Sequence, residues 1–303
     1  CASNPSDSGE QKLQIGIIQP AEHAALDSAR EGFVDTLADH GYVDGETIEI
    51  DYQNAQGDSS ALLTISQRFV GDDCDLVLAI GTGAAQSIAS QTSEIPVLIT
   101  AVTDPVDAGL VQSNEAPGTN ITGTNDMNPI REQMELIREF LPDVQTVGLL
   151  YTSSEDNSAL QIQEVKAVLE EMNVGYVEQT VTGSNDVQQA VQSILGKCDA
   201  LYIPTDNTLA ASAALVGSAA QTAKIPVFWG EGNCVAEGGL ASLGLDYYNL
   251  GRQTGEMAVE VLEGADPAVM PIQSQSDYSY TISKSMAEEI EIEIPKHLLE
   301  FAE

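Results

Sequence analysis

The stretch "CDLVLAIGTGAAQ", residues 74–86, decides the fold, because it returns in altered form as "CDALYIPTDNTLA" at residues 198–210. In both copies a Cys-Asp pair precedes a short apolar run, and small polar residues follow it. A short apolar run bounded by such residues is typical of a buried strand. A strand-to-helix unit that occurs once in each half of the chain predicts a duplicated fold.

Other matches occur in the same order in both halves of the chain. They pair "HGY" (40–42) with "VGY" (174–176), "IPVLI" (95–99) with "IPVFW" (225–229), and "DAGL" (107–110) with "EGGL" (237–240). The offset between matched stretches varies from 124 to 134 residues, as loop insertions would produce. Chance similarity between parallel strands does not explain four matches in one order.

Apolar runs alternate with helical patterns from Leu13 onward, which predicts an α/β fold with mostly parallel sheets. We expect two similar doubly wound, Rossmann-like lobes joined by a hinge, with crossovers near Gly123-Thr124 and Asp246-Tyr247. The first lobe would comprise residues 13–122 plus about 248–272. The second would comprise 123–247 plus about 273–303, and residues 1–12 would form a flexible tether.

The charge balance is strongly acidic. The 303 residues contain 11 Lys and Arg against 47 Asp and Glu, a formal net charge of −36. Such a surface repels nucleic acid and anionic membranes, so a nucleic-acid partner is not expected. No apolar stretch approaches the length of about 20 residues that spans a bilayer. The acidity by itself indicates a solvated coat and names no ligand.

The four cysteines show no metal-ligand or CxxC spacing, so we expect no metal site and no cofactor. Cys74 and Cys198 each precede an apolar run and are predicted to be small buried residues. Cys1 precedes the polar stretch "ASNPSDSGEQ". A cysteine followed by a flexible linker and a globular body is typical of a mature bacterial lipoprotein, so Cys1 is the expected site of lipidation.

A ligand site is expected where the carboxyl ends of both sets of parallel strands face each other. The polar segments predicted there contain "YTSSEDNS" (151–158), which directly follows the run "VQTVGLLY". Each segment precedes a helix, so Ser, Thr and Asp there could equally serve as N-caps. The candidate ligand-binding residues at these strand ends are Glu22, His23, Leu26, Thr82, Gly83, Thr103, Asp104, Ser153, Ser154, Asn157, Asp206, Asn207, Trp229 and Glu231.

The sequence contains no catalytic constellation. It lacks GxSxG, and of three histidines only His23 falls at a predicted strand end. An amino-acid racemase of two-lobed form needs two opposed thiols, whereas Cys234 would stand alone. We therefore expect binding and no catalysis, with a racemase as the alternative enzyme.

Several long motifs resemble those of the ABC-transporter substrate-binding lipoproteins of the tryptophan or aromatic amino-acid type. They include "EHAALD", "GTGAAQ", "TAVTDPVDAGLV", "GTNDMNPIREQMELI", "PTDNT" and "DYYNLGRQTGEMA". The resemblance implies the periplasmic-binding-protein type I fold with a three-segment hinge. It also implies capture of Phe, Tyr or Trp outside the cytoplasm, on the outer face of the bacterial cell membrane or in the periplasm. The partners would be the permease and ATPase of an importer, and the chain would act as a monomer.

An amino-acid ligand would need an acceptor for its ammonium and donors for its carboxylate. Asp206, Glu22 and Glu231 are candidates for the first role, and Thr82, Ser153, Ser154 and Asn157 for the second. No arginine falls in these segments, which disfavours a strongly anionic ligand. Trp229, the only tryptophan, could line an aromatic pocket or point into the core. A ligand sensor of the same fold, and a binder of a sugar or nucleoside, remain alternatives.

Overall fold

The structure is a computed structural model that describes residues 12–303, in which twelve strands and ten α-helices are formed. The predicted lipidation site Cys1 and tether 1–12 lie outside the described residues, apart from Lys12. The strands are β1 (Leu13–Gln19), β2 (Ile48–Asn54), β3 (Leu76–Ile80), β4 (Val97–Val102), β5 (Ile121–Asn125), β6 (Thr146–Thr152), β7 (Gly175–Val181), β8 (Ala200–Ile203), β9 (Val227–Trp229), β10 (Ala241–Gly244), β11 (Gln273–Ser274) and β12 (Ser279–Ile282).

The helices lie between these strands, as the alternating pattern predicts. They are α1 (Ala24–Asp39), α2 (Ser59–Gly71), α3 (Thr82–Ala89), α4 (Ile130–Phe140), α5 (Asp156–Glu171), α6 (Val187–Leu195), α7 (Asn207–Ala210), α8 (Ala213–Ala223), α9 (Tyr247–Leu262) and α10 (Lys284–Glu289). No helix within residues 12–303 is long and apolar enough to cross a membrane.

The strands form two six-stranded sheets with the same order. The first is β11-β5-β4-β3-β1-β2 and the second is β12-β10-β9-β8-β6-β7. All pairs are parallel except β10 with β12, which is antiparallel. Helices cover both faces of each sheet and form a separate apolar core on each face. The predicted α/β architecture of two doubly wound lobes is therefore confirmed.

The chain passes between the lobes three times, at residues 126–129, 245–246 and 275–278. The sequence-based boundaries were wrong at two of these places. Residues 123–125 belong to β5 and residues 273–274 form β11, and both strands lie in the first sheet. The segment "ITGTN" of β5 lacks the apolar run that marks the other strands, because Ile121 is its only apolar side chain and one of its five residues is glycine.

Helix α9 follows the second crossing and packs so closely against α1 of the first lobe that the two backbones are in contact. A Cβ atom built on Gly251 would lie 1.9 Å from the carbonyl oxygen of Ala29, and one on Gly32 would lie 2.1 Å from the carbonyl oxygen of Tyr248. Only hydrogen fits at these two positions. The glycines therefore fix how closely α9, and with it the second crossing, approaches the first lobe.

We expect Gly251→Ala to destabilise the protein by about 3 kcal/mol or more, because the new methyl group must push α9 away from α1. Gly71→Ala is the matched control, since Gly71 also lies in a helix and its Cβ would meet nothing within 4 Å. That control should be neutral or stabilising by up to about 1 kcal/mol. Urea unfolding of both variants measures the difference, and equal midpoints would contradict the close-packing argument.

Candidate functional site

The carboxyl ends of both sets of strands face one cleft between the lobes. Its inner pocket is small, with a volume of about 10 Å³, roughly the space of one water molecule. Residues from both lobes and one from the first crossing line it. They are His23, Leu26, Ala101, Thr103, Asp126, Asn157, Thr205, Asp206, Asn207, Glu231 and Tyr247.

An outer cavity of about 600 Å³ lies nearer the cleft mouth and shares Asn157 and Asn207 with the inner pocket. Pro20, Ala21 and Leu62 give it an apolar side in the first lobe. The lobes touch across the cleft. The Gln86 side-chain amide donates to the Asp156 carboxylate at 3.1 Å, and His23 Nε2 lies 3.2 Å from Asn207 Oδ1. The lobes are therefore closed upon each other in this structure.

Asp126 is the most unusual group in the inner pocket. Its residue is 3% exposed, the Tyr247 hydroxyl donates to Oδ2 at 2.8 Å, and Oδ1 is buried with no hydrogen-bond partner in the described chain. Burial raises the pKa of Asp126 to about 6, and the neighbouring Glu231 adds to this rise. A buried acceptor with a free oxygen is costly unless a donor enters the pocket.

Glu231 brings a second carboxylate to the pocket from the end of β9. It is 3% exposed, and the Cys234 thiol donates to Oε1 at 2.9 Å. His23 Nδ1 lies 3.7 Å from the same oxygen and is itself buried without a hydrogen bond. Burial, with the charge of Glu231, raises the pKa of the Cys234 thiol far above its usual range. Cys234 thus remains a neutral donor to Glu231.

Asp206 and Glu155 form the inner framework of the second lobe. Asp206 accepts from the Thr152 amide at 2.6 Å, the Thr152 hydroxyl at 2.7 Å and the Leu209 amide at 2.9 Å. Glu155 accepts four bonds from the amides and side chains of Asn207 and Thr208. Burial, together with the charge of Glu155, raises the pKa of Asp206 to about 7. The polar residues after β6 therefore tie β6 to the start of α7.

Ala101 has a backbone φ of +54°, a value that residues other than glycine rarely adopt. It lines the inner pocket at a shift of register between β4 and β5. The Asp126 amide then donates to the Val102 carbonyl at 3.1 Å. Such irregularities change the direction of side chains near binding sites. Here the register shift between β4 and β5 is followed by Thr103 and Asp126, which both line the pocket.

The structure brings together most of the candidate residues from the sequence. Seven line the inner pocket: His23, Leu26, Thr103, Asn157, Asp206, Asn207 and Glu231. Glu22, Gly83 and Ser154 line the outer cavity. Thr82 is 4% exposed at the start of α3, and its hydroxyl is buried without a hydrogen-bond partner in residues 12–303.

Three candidates lie elsewhere. Trp229 is 1% exposed and packs in the apolar core under α6 and α8, so the expectation that it lines the ligand pocket was wrong. Asp104 accepts from the amides of Val106 and Asp107, and it borders neither cavity of the cleft. Ser153 donates to the Val181 carbonyl and likewise borders neither cavity.

Sequence reasoning missed Asp126 and Tyr247 as pocket residues. Asp126 follows β5, the strand that was not recognised, although "GTNDMNP" has the polar strand-end composition used to find the other sites. Tyr247 is the first residue of α9, and the place of α9 in the first lobe brings its hydroxyl under the pocket. The positions of the crossings were the available signal for both.

Comparisons with known proteins identify relatives that match nearly the whole chain. A curated relative, the tyrosine-binding protein of Clostridioides difficile (strain R20291), is 40% identical over 96% of this chain and 85% of its own length. A crystal structure of an ABC domain in complex with L-Trp from Streptococcus pneumonia is 40% identical over 96% of this chain and 99% of that one, with a TM-score of 0.93.

A third relative is similar in sequence but less similar in overall geometry. The ligand-free, open structure of a substrate binding protein with adhesive properties from Clostridium difficile is 42% identical over 94% of this chain and 96% of that one, with a TM-score of 0.71. The closed lobes described above are thus arranged more as in the L-Trp complex. The family model of the ABC transporter substrate binding proteins matches residues 14–303. The chain belongs to this family and has the periplasmic-binding-protein type I fold.

Proposed function

We propose that this protein captures an aromatic α-amino acid between its lobes and delivers it to the permease and ATPase of an ABC importer. The observation that carries the proposal is the buried Asp126 carboxylate: the residue lines the inner pocket, and its Oδ1 atom has no hydrogen-bond partner within residues 12–303. Relatives with 40% identity are a tyrosine-binding protein and a protein in complex with L-Trp, which supports an aromatic ligand.

The ammonium group of the ligand would bind in the inner pocket. Asp126, Asp206 and Glu231 supply three buried carboxyl groups there, and no lysine or arginine is among the described lining residues. Asp206 is already satisfied by three donors from its own lobe. Asp126 and Glu231 are therefore the proposed acceptors, and charge-assisted hydrogen bonds to them would be stronger than neutral ones.

The ligand carboxylate would bind at the start of α3, where the buried Thr82 hydroxyl has no partner. The first amides of this eight-residue helix have no intrahelical acceptor, and the helix dipole favours an anion there. The aromatic side chain would extend into the outer cavity, against Pro20, Ala21 and Leu62. This arrangement needs more room than the closed inner pocket offers, so ligand entry requires the lobes to open.

We infer that the protein is not an enzyme and that it acts outside the cytoplasm. The relatives are solute-binding proteins, and the Cys234 thiol is committed as a neutral donor to Glu231. A racemase would need a second opposed thiol, whereas Cys74 and Cys198 are buried before β3 and β8. Burial raises the pKa of both these thiols to about 11. Lipid attachment at Cys1 and a monomeric state remain predictions.

Calorimetry with all twenty amino acids on refolded, ligand-free protein tests the ligand class. We expect Phe, Tyr or Trp to bind, and the thermal midpoint to rise because a ligand at 1,000 times its Kd adds about 4 kcal/mol of stability. If a sugar or nucleoside gave a binding heat and no amino acid did, the result would instead support the alternative ligands. Racemisation of a bound amino acid that disappears in Cys234→Ser would contradict a purely binding role.

Asp126→Asn should weaken amino-acid affinity by about 10- to 100-fold, because a charge-assisted bond to the ammonium is lost. The same variant should stabilise the ligand-free protein at pH 7.5. The pKa of Asp126 is raised from 3.8 to about 6, so its ionisation disfavours the folded state by up to about 3 kcal/mol.

Asp104→Asn is the matched control for the same chemical change. Asp104 caps a turn outside both cleft cavities, so affinity should stay within about twofold of the natural protein. Calorimetry and thermal melting of both variants give the answer. An Asp126→Asn protein that binds normally would remove Asp126 from the ammonium site.

Affinity should depend on pH. Below the raised pKa of Asp126, about 6, the carboxyl is neutral and no longer attracts the ammonium, so affinity should fall by up to about tenfold per pH unit as pH decreases. Asp206, with a pKa of about 7, lines the same pocket together with Glu231 and His23, and Glu155 lines the adjoining outer cavity. Titrations from pH 5 to 8 on natural and Asp126→Asn protein separate their effects, since the variant should lose the component near pH 6.

A further inference from the structure

His23 reaches across the cleft from the first lobe to the second. It directly precedes α1, and its side chain makes no capping bond to that helix. The side chain is 6% exposed, with Nε2 3.2 Å from Asn207 Oδ1 and Nδ1 3.7 Å from Glu231 Oε1. Asn207 and Glu231 both belong to the second lobe, so both contacts depend on the lobes being closed.

The hydrogen bonds of Asn207 determine which nitrogen of a neutral His23 ring carries the hydrogen. The amide nitrogen of the Asn207 side chain donates to Glu155 Oε2 at 2.7 Å, so Asn207 Oδ1 faces His23 as an acceptor. His23 Nε2 is therefore the donor, and in a neutral ring Nδ1 is then an acceptor without hydrogen.

An Nδ1 atom without hydrogen fits the closed protein poorly. It is buried with no hydrogen-bond partner within residues 12–303, and it lies beside the Glu231 carboxylate, which is itself buried. Two buried acceptors that face each other repel, whereas a proton on Nδ1 turns the same contact into an ion pair. An imidazolium donates from both nitrogens, and this matches the two acceptors that the second lobe presents.

We propose that protonation of His23 holds the lobes together, so that the empty protein closes as the pH falls. In the open protein the two acceptors are withdrawn, and the proton on His23 therefore stabilises the closed state relative to the open one. One such proton raises the ratio of closed to open protein by up to about tenfold for each pH unit of acidification. Histidine ordinarily changes its charge between pH 5 and 8. Because ligand entry requires open lobes, capture would be slower in acid.

Other ionisable groups face this part of the cleft. Asp126, whose pKa burial raises to about 6, also takes up a proton in the closed protein as the pH falls, which favours closure in the same direction. Asp206, whose pKa is raised to about 7, accepts its hydrogen bonds within the second lobe, and those bonds do not change on closure. The other groups are Glu22, Asp27, Glu155, Asp156, Cys234, Glu237 and Tyr247.

The test removes the Asp126 contribution first. Ligand-free Asp126→Asn and Asp126→Asn/His23→Gln proteins are compared by small-angle X-ray scattering from pH 8 to pH 5. Glutamine keeps a donor for Asn207 but cannot become a cation. We expect the radius of gyration of the Asp126→Asn protein to decrease on acidification as its lobes close, and that of the double variant to stay nearly constant.

Asp126→Asn/His40→Gln is the matched control. His40 Nε2 lies 2.9 Å from Glu256 Oε2, but both side chains are exposed and both belong to the first lobe. Loss of this pair should therefore leave the response of the radius of gyration to pH unchanged. Thermal midpoints of all three proteins show that each is folded.

Nitrogen NMR of the natural protein reads the proton itself. The chain has three histidines, and the signals lost in His23→Gln belong to His23. At a pH where scattering shows closed lobes, both His23 nitrogens should carry hydrogen. The proposal is overturned if the Asp126→Asn protein does not close on acidification, if the two histidine variants respond alike, or if His23 is neutral in the closed protein. Both measurements are made without ligand, so a protein that binds no amino acid would refute the proposed function alone.

Discussion

The hydrogen bond from the Tyr247 hydroxyl to Asp126, 2.8 Å long, joins the first crossing between the lobes to the start of α9, directly after the second crossing, beside the inner pocket. Asp126 begins the crossing after β5, and Tyr247 begins α9, whose approach to α1 is fixed by Gly32 and Gly251. The buried carboxylate can be held ionised only if donors surround it, and the protein supplies a donor to one of its oxygens. Under the proposed function, the second oxygen would accept a hydrogen bond from the positive end of the ligand.

The two lobes repeat one fold but use their strand ends differently. In the second lobe, Asp206 and Glu155 accept bonds from residues of their own lobe, and this network holds α7 against β6. In the first lobe, the Thr82 hydroxyl is buried without a partner, and Ala101 is held in an unfavourable backbone conformation. The carboxylates of Asp206 and Glu155 in the second lobe are therefore already hydrogen-bonded, whereas the Thr82 hydroxyl in the first lobe could still bond to a ligand. The two lobes thus share one strand order and differ in the loops that follow their strands.

The sequence was sufficient for the architecture because strand repeats such as "IPVLI" and "IPVFW" carry a strong apolar pattern. It placed His23, Asn157 and Glu231 correctly at the cleft, since parallel strands put their carboxyl ends at one edge. It could not settle Trp229, because successive strand side chains point to opposite faces and a short run such as β9 does not fix the phase. Asp126 required knowledge of where the chain crosses, which depends on the pairing of β11 with β5 and not on local pattern.

Closure and selectivity follow from one electrostatic arrangement under the proposed function. In the closed protein, the charge of Glu231 in the second lobe adds to the rise in the pKa of Asp126, so two like charges share the empty, buried pocket. A ligand ammonium reverses the sign of that interaction, because each carboxylate then faces a cation. A ligand shifts the lobes toward closure only by its differential affinity for the closed state, and here the charged end of the ligand provides that difference. A neutral molecule of the same shape would fill the outer cavity and leave the repulsion in place.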